Sequence, residues 1–520
     1  MGGFLSHLKP ENNKEVYHAS CGPIRGNIYK HDKKIVDGYL GIPYAKPPVG
    51  KLRFKKPVAA EKWTEPLDCY EYGPGCPQSG NSPVKGHDWM TFDESKCLTL
   101  NVFAPRWKSN EFPNGLPVLI YIHGGGFKIG YSAYFNDYSL SGTIPLRDIV
   151  VVTVNYRLGP LGFLTTGDDL AKGNYGLWDQ TLALKWVQEH IASFGGDPNN
   201  VTVSGESAGG ISVDMLALSP HSNIFAKHHG YTGTDSQSLV DWYQAQDVEV
   251  FKKTGEVERD FSRFIFFVPN FDGDFFPKPL EQLRKEAPKL DALITVAEYE
   301  GLAMMMDPLC ISPDSLKNMK SVISDAFDPN VTNNCEEVQR KLLEAYTRNV
   351  NVDSQQDVAK KLVEFLGDYL FNSCALNTAK SCKNSGAQVY LASFDYFNAE
   401  TDENPAFGIF PFKAATHGSD HAYVFGDAVV GVFKPNDEEL KVMELMGSFV
   451  ANFVKYGNPN GKNSDEKWKP YCLDQPDRYF KIDYPISEMR ENFQNGRLEV
   501  FEEIKKYDIR YQNIVIGKSI

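Results

Sequence analysis

Gly205-x-Ser207-x-Gly209 is the stretch of this chain best suited to covalent chemistry. The β-branched run Val201-Thr202-Val203 leads into it as a strand would, and Ile211 to Leu218 reads as a helix. A serine on such a strand-to-helix turn is held in strained backbone. Glycines two residues either side let the turn close without a Cβ clash, so the hydroxyl projects free. Chance alone supplies this three-residue pattern about 0.2 times in a chain of this size. The motif therefore counts only beside a base, an orienting acid and donors for an oxyanion.

Each part can be sought on its own. Three consecutive glycines in His123-Gly124-Gly125-Gly126-Phe127 follow the apolar run Val118 to Ile122. Their peptide N–H groups are unscreened, and with the N–H after the nucleophile such a loop forms the oxyanion hole of lipases and esterases. The expected donors are the N–H groups of Gly125, Gly126 and Ala208. For the base, eleven histidines are available. His417, in Ala415-Thr416-His417-Gly418-Ser419-Asp420, sits on a loop beyond a late strand, from which an imidazole can reach across a sheet edge. His421 is its local rival, whereas His228 and His229 lie too near the serine for the chain order nucleophile, acid, base. The acid should follow a strand between serine and histidine. Glu300, in Val296-Ala297-Glu298-Tyr299-Glu300-Gly301, does so. Glu298 competes with it and reads as a solvated loop carboxylate, but position alone does not separate the two.

The elements that must hold these groups are legible as periodicities. Residues 20 to 47 hold short strand-like runs broken by Gly22, Gly26, Gly38 and Gly41, an antiparallel ribbon at a sheet edge. Val118 to Ile122 and Ile149 to Val154 are nearly all apolar, as strands covered on both faces of a parallel sheet are. Leu184, Val187, Ile191 and Phe194 mark an amphipathic helix stopped by Gly195-Gly196 and Pro198. Further strands are predicted at Ala292 to Val296, Gln388 to Phe394 and Tyr479 to Ile482. Helices are predicted at Val338 to Arg348, Asp357 to Cys382 and Glu438 to Tyr456. No linker rich in Gly, Ser or Pro divides the chain, so a single domain over residues 16–515 is expected after a flexible segment, residues 1–15.

A composition of 42% hydrophobic and 23% charged residues over 520 positions describes a well-cored globular protein. A net charge of −13 argues against a nucleic-acid partner. No apolar run reaches the length of a membrane-spanning helix. The start of the chain lacks the apolar core of a secretory leader, which points to the cytoplasm, reduced thiols and silent sequons at Asn200 and Asn330. Met1-Gly2-Gly3-Phe4-Leu5-Ser6 also matches the pattern for myristoylation of Gly2, which would give reversible membrane association. Nine cysteines is an odd count with no metal-type pairing, and no metal site is expected.

The ordered motifs resemble the type-B carboxylesterases, a family of α/β-hydrolases that includes the cholinesterases and, as non-enzymatic relatives, the neuroligins. The resemblance runs through Gly41-Ile42-Pro43-Tyr44-Ala45, Cys97-Leu98-Thr99-Leu100-Asn101-Val102, Asn155-Tyr156-Arg157-Leu158-Gly159 and Gly176-Leu177-Trp178-Asp179-Gln180. It continues through Phe194-Gly195-Gly196-Asp197-Pro198, Asp272-Gly273-Asp274-Phe275-Phe276-Pro277 and Tyr456-Gly457-Asn458-Pro459. It implies an α/β-hydrolase fold with a mostly parallel central sheet, and a triad of Ser207, Glu300 and His417. Glu300 is chosen over Glu298 because the family's acid directly precedes a glycine, and His417 over His421 because of His-Gly-x-Asp. The resemblance also implies a disulfide between Cys76 and Cys97 and a cofactor-free serine carboxylesterase acting on small-molecule esters.

Three departures qualify this. The family's strand after the nucleophile helix, Ala-Ile-x-Gln-Ser-Gly, is not found where Ser219 to Ala226 passes to Lys227 to Gly233. Loss of an interior strand would leave ladder donors unpaired, and a catalytically impaired or purely binding protein is the alternative it raises. The family's Glu that pairs with the arginine at Arg53 is displaced to Glu94, so that pair is shifted or lost. The surroundings of Trp89 do not match the cholinesterases' choline site.

Overall fold

The computed structural model describes residues 9–78, 91–214, 268–278, 282–284, 290–306, 314–329, 332–401, 410–428, 433–462 and 467–507. Gly2, Trp89, the sequon asparagine Asn330 and the run from Ser219 to Gly233 lie outside them. The described residues divide into two compact units. One is drawn from Met1–Glu258, Ile265–Pro277 and Val424–Pro435, the other from Arg259–Phe264, Lys278–Tyr423 and Asn436–Ile520.

In the first unit the strands are β1 (Glu11–Asn12), β2 (Tyr17–Ala19), β3 (Gly22–Arg25), β4 (Asn27–His31), β5 (Lys34–Pro43), β6 (Leu67–Asp68), β7 (Thr99–Pro105), β8 (Leu116–Ile122), β9 (Val150–Val154) and β10 (Gly196–Gly205). Seven form one mixed sheet in the order β1-β4-β5-β7-β9-β8-β10, while β2, β3 and β6 form a small separate one. The predicted ribbon is the β4–β5 hairpin on the outer, antiparallel side of that sheet. Parallel pairing begins on the other side of the sheet: β8 runs between β9 and β10, parallel to both. Every residue of β7, β8 and β9 is buried, which explains why these strands read as continuous rather than alternating apolar runs.

Helix α1 (Tyr175–His190) and the 3-10 turn Ile191–Phe194 carry the expected stripe. Ala183, Trp186, Val187, Ile191 and Phe194 pack in one core with Val118, Ile120, Val150 and Val152 of the sheet. Fully burying a valine or isoleucine contributes about 1.5–3 kcal/mol, so this helix is held by its face rather than by propensity.

Charges buried beside that core are paired. Arg157 donates from Nε to Asp179 Oδ2 and from Nη2 to Asp179 Oδ1, both at 2.7 Å. Burial raises the Asp179 carboxyl and the arginine opposes it. Arg53 donates from Nε to Glu94 Oε1 at 2.7 Å, with a second bond from Nη2 to Oε2. The pair predicted as shifted or lost is thus shifted by one position and kept. Cys76 and Cys97 are joined in a disulfide, their Cα atoms 4.8 Å apart, so the reduced-thiol expectation does not describe this pair.

The second unit holds β11 (Ala292–Ala297), β12 (Val389–Phe394), β13 (Tyr479–Ile482) and β14 (Glu488–Arg490), in that order across a four-stranded sheet. β11, β12 and β13 are parallel. Of its helices, Cys335–Thr347 and Asp437–Tyr456 match their predicted spans within three residues. The predicted helix Asp357 to Cys382 is instead three pieces: α-helical Gln355–Gly367, a π-helical turn Asp368–Asn372, and α-helical Ser373–Asn384. Among the described residues β10 is paired only with β8 and β11 only with β12. No described helix is long and apolar enough to cross a membrane.

Replacing Arg157 with methionine would strand the Asp179 carboxylate, side-chain exposure 0%. Chemical denaturation of Arg157→Met should show a loss of about 3–5 kcal/mol, and a loss below about 1 kcal/mol would mean that the pair is not what holds this region.

Candidate active site

The nucleophile candidate sits where a strand of the parallel half ends. β10 stops at Gly205, Ser207 has φ +55°, and the helix Ala208–Asp214 begins at the next residue. That left-handed conformation is costly for a serine. Its neighbours have no room for a side chain. A Cβ on Gly205 would lie 2.4 Å from the carbonyl carbon of Gly209, and one on Gly209 2.1 Å from the oxygen of Ile122. The turn is closed by Gly209 N–H to Glu206 O at 2.7 Å and Ile211 N–H to Ser207 O at 2.8 Å.

The glycine loop leaves the neighbouring strand at the same level, because Gly205 of β10 pairs with Ile122 of β8 in parallel register. Gly125 (φ +96°) and Gly126 (φ +62°) are both left-handed. Gly125 O receives the N–H groups of Lys128 and Ile129, each at 3.0 Å, which curls the loop back on itself. Gly124 is crowded too: a Cβ there would lie 2.7 Å from the backbone oxygen of Glu206, as well as against its carboxylate. Among the described residues no acceptor lies against the N–H groups of Gly125, Gly126 or Ala208. Such unpaired donors are what an oxyanion needs.

His123 anchors this loop rather than joining the chemistry. It is fully buried, donates from Nδ1 to Gly124 O at 2.9 Å, and stacks on Tyr156 with ring centroids 4.4 Å apart. Burial pushes its imidazole down to about 4, so it stays neutral at physiological pH.

The base and acid candidates come together in the second unit. His417 Nδ1 lies 2.6 Å from Glu300 Oε2, and the other carboxylate oxygen accepts the N–H of Ala297 at 2.6 Å. A donated Nδ1–H fixes the tautomer and leaves Nε2 as the basic nitrogen. The two loops are tied twice more. Tyr299 N–H donates to Ala415 O at 3.0 Å, and Thr416 Oγ1 donates to Tyr299 O while accepting from Ala303 N–H, both at 3.0 Å.

The sequence left Glu298 and His421 as competitors. His421 opens the short helix His421–Phe425. Glu298 is not the solvated loop carboxylate it reads as. It is half-buried, its carboxyl is pushed up to about 7 by burial with Asp395 adding and Lys481 and Lys360 opposing, and its N–H donates to Phe394 O at 3.0 Å. Sequence reasoning missed Phe371, whose ring lies over His417 with centroids 4.2 Å apart. No periodicity signals it, because it sits on the π-helical turn.

Comparison with known proteins shows the family of the chain. The model of the carboxylesterase family matches residues 13–225 and 222–501. The seam between those two matches falls within the run where the family's strand is not found. Esterase cest-33 of Caenorhabditis elegans is 48% identical over 551 aligned positions, covering 100% of this chain and 99% of that protein. An alignment of 551 positions against 520 residues leaves at least 31 at which this chain has no residue. The medium-chain fatty acyl-CoA hydrolase precursor of Anas platyrhynchos is 31% identical, with 89% of this chain and 87% of that protein covered. The acylcarnitine hydrolase of Mus musculus is also 31% identical, at 92% and 90%.

The raised Glu298 carboxyl has a thermodynamic consequence. Folded, it keeps its proton to about pH 7, whereas an unfolded glutamic acid releases it near 4.5. Between those values the unfolded chain binds fewer protons, so this group's contribution to stability falls as pH rises. Glu298→Gln should therefore gain stability relative to wild type between pH 5 and pH 8, by roughly 1 kcal/mol after allowance for solvent screening. Denaturation midpoints at the two pH values measure it, and an unchanged difference would contradict it.

Proposed function

Because the chain belongs to the carboxylesterase family, we propose that it is a serine carboxylesterase whose nucleophile is Ser207 and whose base and acid are His417 and Glu300. The observation that carries this reading is the 2.6 Å contact between His417 Nδ1 and Glu300 Oε2. An imidazole so oriented has a basic Nε2 and a carboxylate that stabilises it once protonated.

The chemistry runs in two halves. In the first, Nε2 of His417 takes the proton of Ser207 Oγ as that oxygen attacks the ester carbonyl. The negative charge that develops is met by the N–H groups of Gly125, Gly126 and Ala208. Collapse of the tetrahedral species breaks the bond to the alcohol, which leaves with the proton held on His417. In the second half, water gives its proton to the same nitrogen as it attacks the acyl-serine; collapse of the tetrahedral species breaks the bond to Ser207 Oγ, which takes that proton back from His417, and the acid is released. The catalytic domain proposed is a single one over residues 16–515. The substrate class proposed is the carboxylic ester; two relatives are named for hydrolysis of fatty acyl-CoA and of acylcarnitine, a thioester and an ester that share the acyl carbonyl and differ in the leaving group.

Hydrolysis of a short-chain nitrophenyl ester tests the assignment. Ser207→Ala should lose about 10⁴-fold or more in kcat, and Glu300→Gln about 10³- to 10⁴-fold, both with unaltered far-ultraviolet circular dichroism. A Ser207→Ala protein as fast as wild type would end the esterase reading.

A further inference from the structure

We propose that Phe371 is a positioning residue for His417, held over the imidazole by a π-helical turn that a buried ion cluster locks in place. The inference rests on the reading of His417 as the base.

The turn Asp368–Asn372 interrupts an otherwise α-helical run and is flanked by α-helix on both sides. An interruption of this kind shifts the residues after it around the helix axis, and such turns occur at functional sites. Here one turn touches both members of the proposed pair. At its start Gly367 abuts the acid: a Cβ on Gly367 would lie 2.9 Å from Gly301 N and 3.4 Å from Glu300 Cβ. The reverse approach is tighter, since a Cβ on Gly301 would lie 2.1 Å from Val363 O and 2.5 Å from Gly367 N. Near its end, the Phe371 ring lies over His417, centroids 4.2 Å apart and planes tilted by 32°. The histidine is thus held through Nδ1 by Glu300 and across its face by Phe371.

What maintains the turn is Asp368, with side-chain exposure 0%. Its carboxylate accepts Tyr346 OH at 2.7 Å, Asn372 Nδ2 at 2.7 Å, Arg497 Nε at 2.7 Å and Arg497 Nη2 at 3.2 Å. Arg497 comes from far along the chain and also donates to Gln494 Oε1 at 2.9 Å, with Glu364 3.8 Å away. The contact from Asn372, the last residue of the turn, back to Asp368, the first, closes it. Nothing in this cluster reaches substrate in the proposed reaction. Its effect is to fix where Phe371 stands.

A ring over the imidazole restricts its rotation and favours its charged form. The test compares wild type, Phe371→Leu, Phe371→Tyr and Ser207→Ala on a short-chain nitrophenyl ester, with thermal midpoints for each. Phe371→Leu should lose roughly tenfold in kcat with KM changed less than about twofold. Its kcat/KM–pH profile should show the base's apparent pKa lowered by about 0.5. Phe371→Tyr, which keeps the ring, should recover most of both. An unchanged kcat in Phe371→Leu would overturn the proposal. So would a fall in kcat with the pKa unmoved, or one shared by Phe371→Tyr and tracking the thermal midpoint, since those mark a purely structural residue. If wild type and Ser207→Ala do not differ, the failure lies in the esterase reading itself, and the proposal falls with it.

Discussion

A serine at φ +55° between two glycines whose Cβ positions are already filled by backbone is the constraint on which the rest of this structure depends. Such a turn is held only if its surroundings over-determine it. The strand before it is paired residue for residue with β8 from Val201 to Gly205, and the helix after it begins at once. The same pairing sets the glycine loop beside the turn, because parallel neighbours end at the same edge of a sheet. Loops that follow parallel strands therefore converge without any contact designed for the purpose. Gly124 and Glu206, one from each loop, are in fact close enough that a Cβ on Gly124 would lie 2.7 Å from the backbone oxygen of Glu206.

The second unit repeats the principle with different chemistry. β11 and β12 are parallel and in register from Ala292 with Val389 to Ala297 with Phe394. The acid loop leaves the end of β11 and is fastened to the histidine loop by backbone bonds and by Thr416. A 2.6 Å contact between two side chains 117 residues apart is held by short connections near each of them. Buried ion pairs are how both units secure such connections over long sequence distances: Arg53 with Glu94, Arg157 with Asp179, and Arg497 with Asp368. Each charge would be costly alone, which makes the paired arrangement specific.

Several elements were legible in the chain because one physical pattern dominates each. Strands buried on both faces are nearly all apolar, and Val118 to Ile122 and Ile149 to Val154 read as such. The turn at Ser207 is legible because only glycine tolerates the close approaches around it. The same argument fails for the helix from residue 355 to residue 384. Its apolar face continues through the π-helical turn, so nothing in composition marks the extra residue, and the place of Phe371 stays hidden. It fails for Glu298 as well, whose charged neighbours Asp395 and Lys481 lie nearly 100 or more residues away.

Sequence by itself determined the residue types that the chemistry needs, their order, the family and the apolar strands that carry them. The first and last follow from local rules, glycine where a Cβ cannot fit and continuous apolar residues where both faces are covered, while the choice of Glu300 over Glu298 came from the family resemblance. Tertiary structure decided which charges meet. Arg53 finds Glu94 one position away from the family's place, Asp368 finds Arg497, and Nδ1 of His417 faces Glu300 while Glu298 is left among Asp395 and Lys481. A side chain's partner depends on register and loop path over separations such as 41, 117 and 129 residues, and no local pattern encodes that.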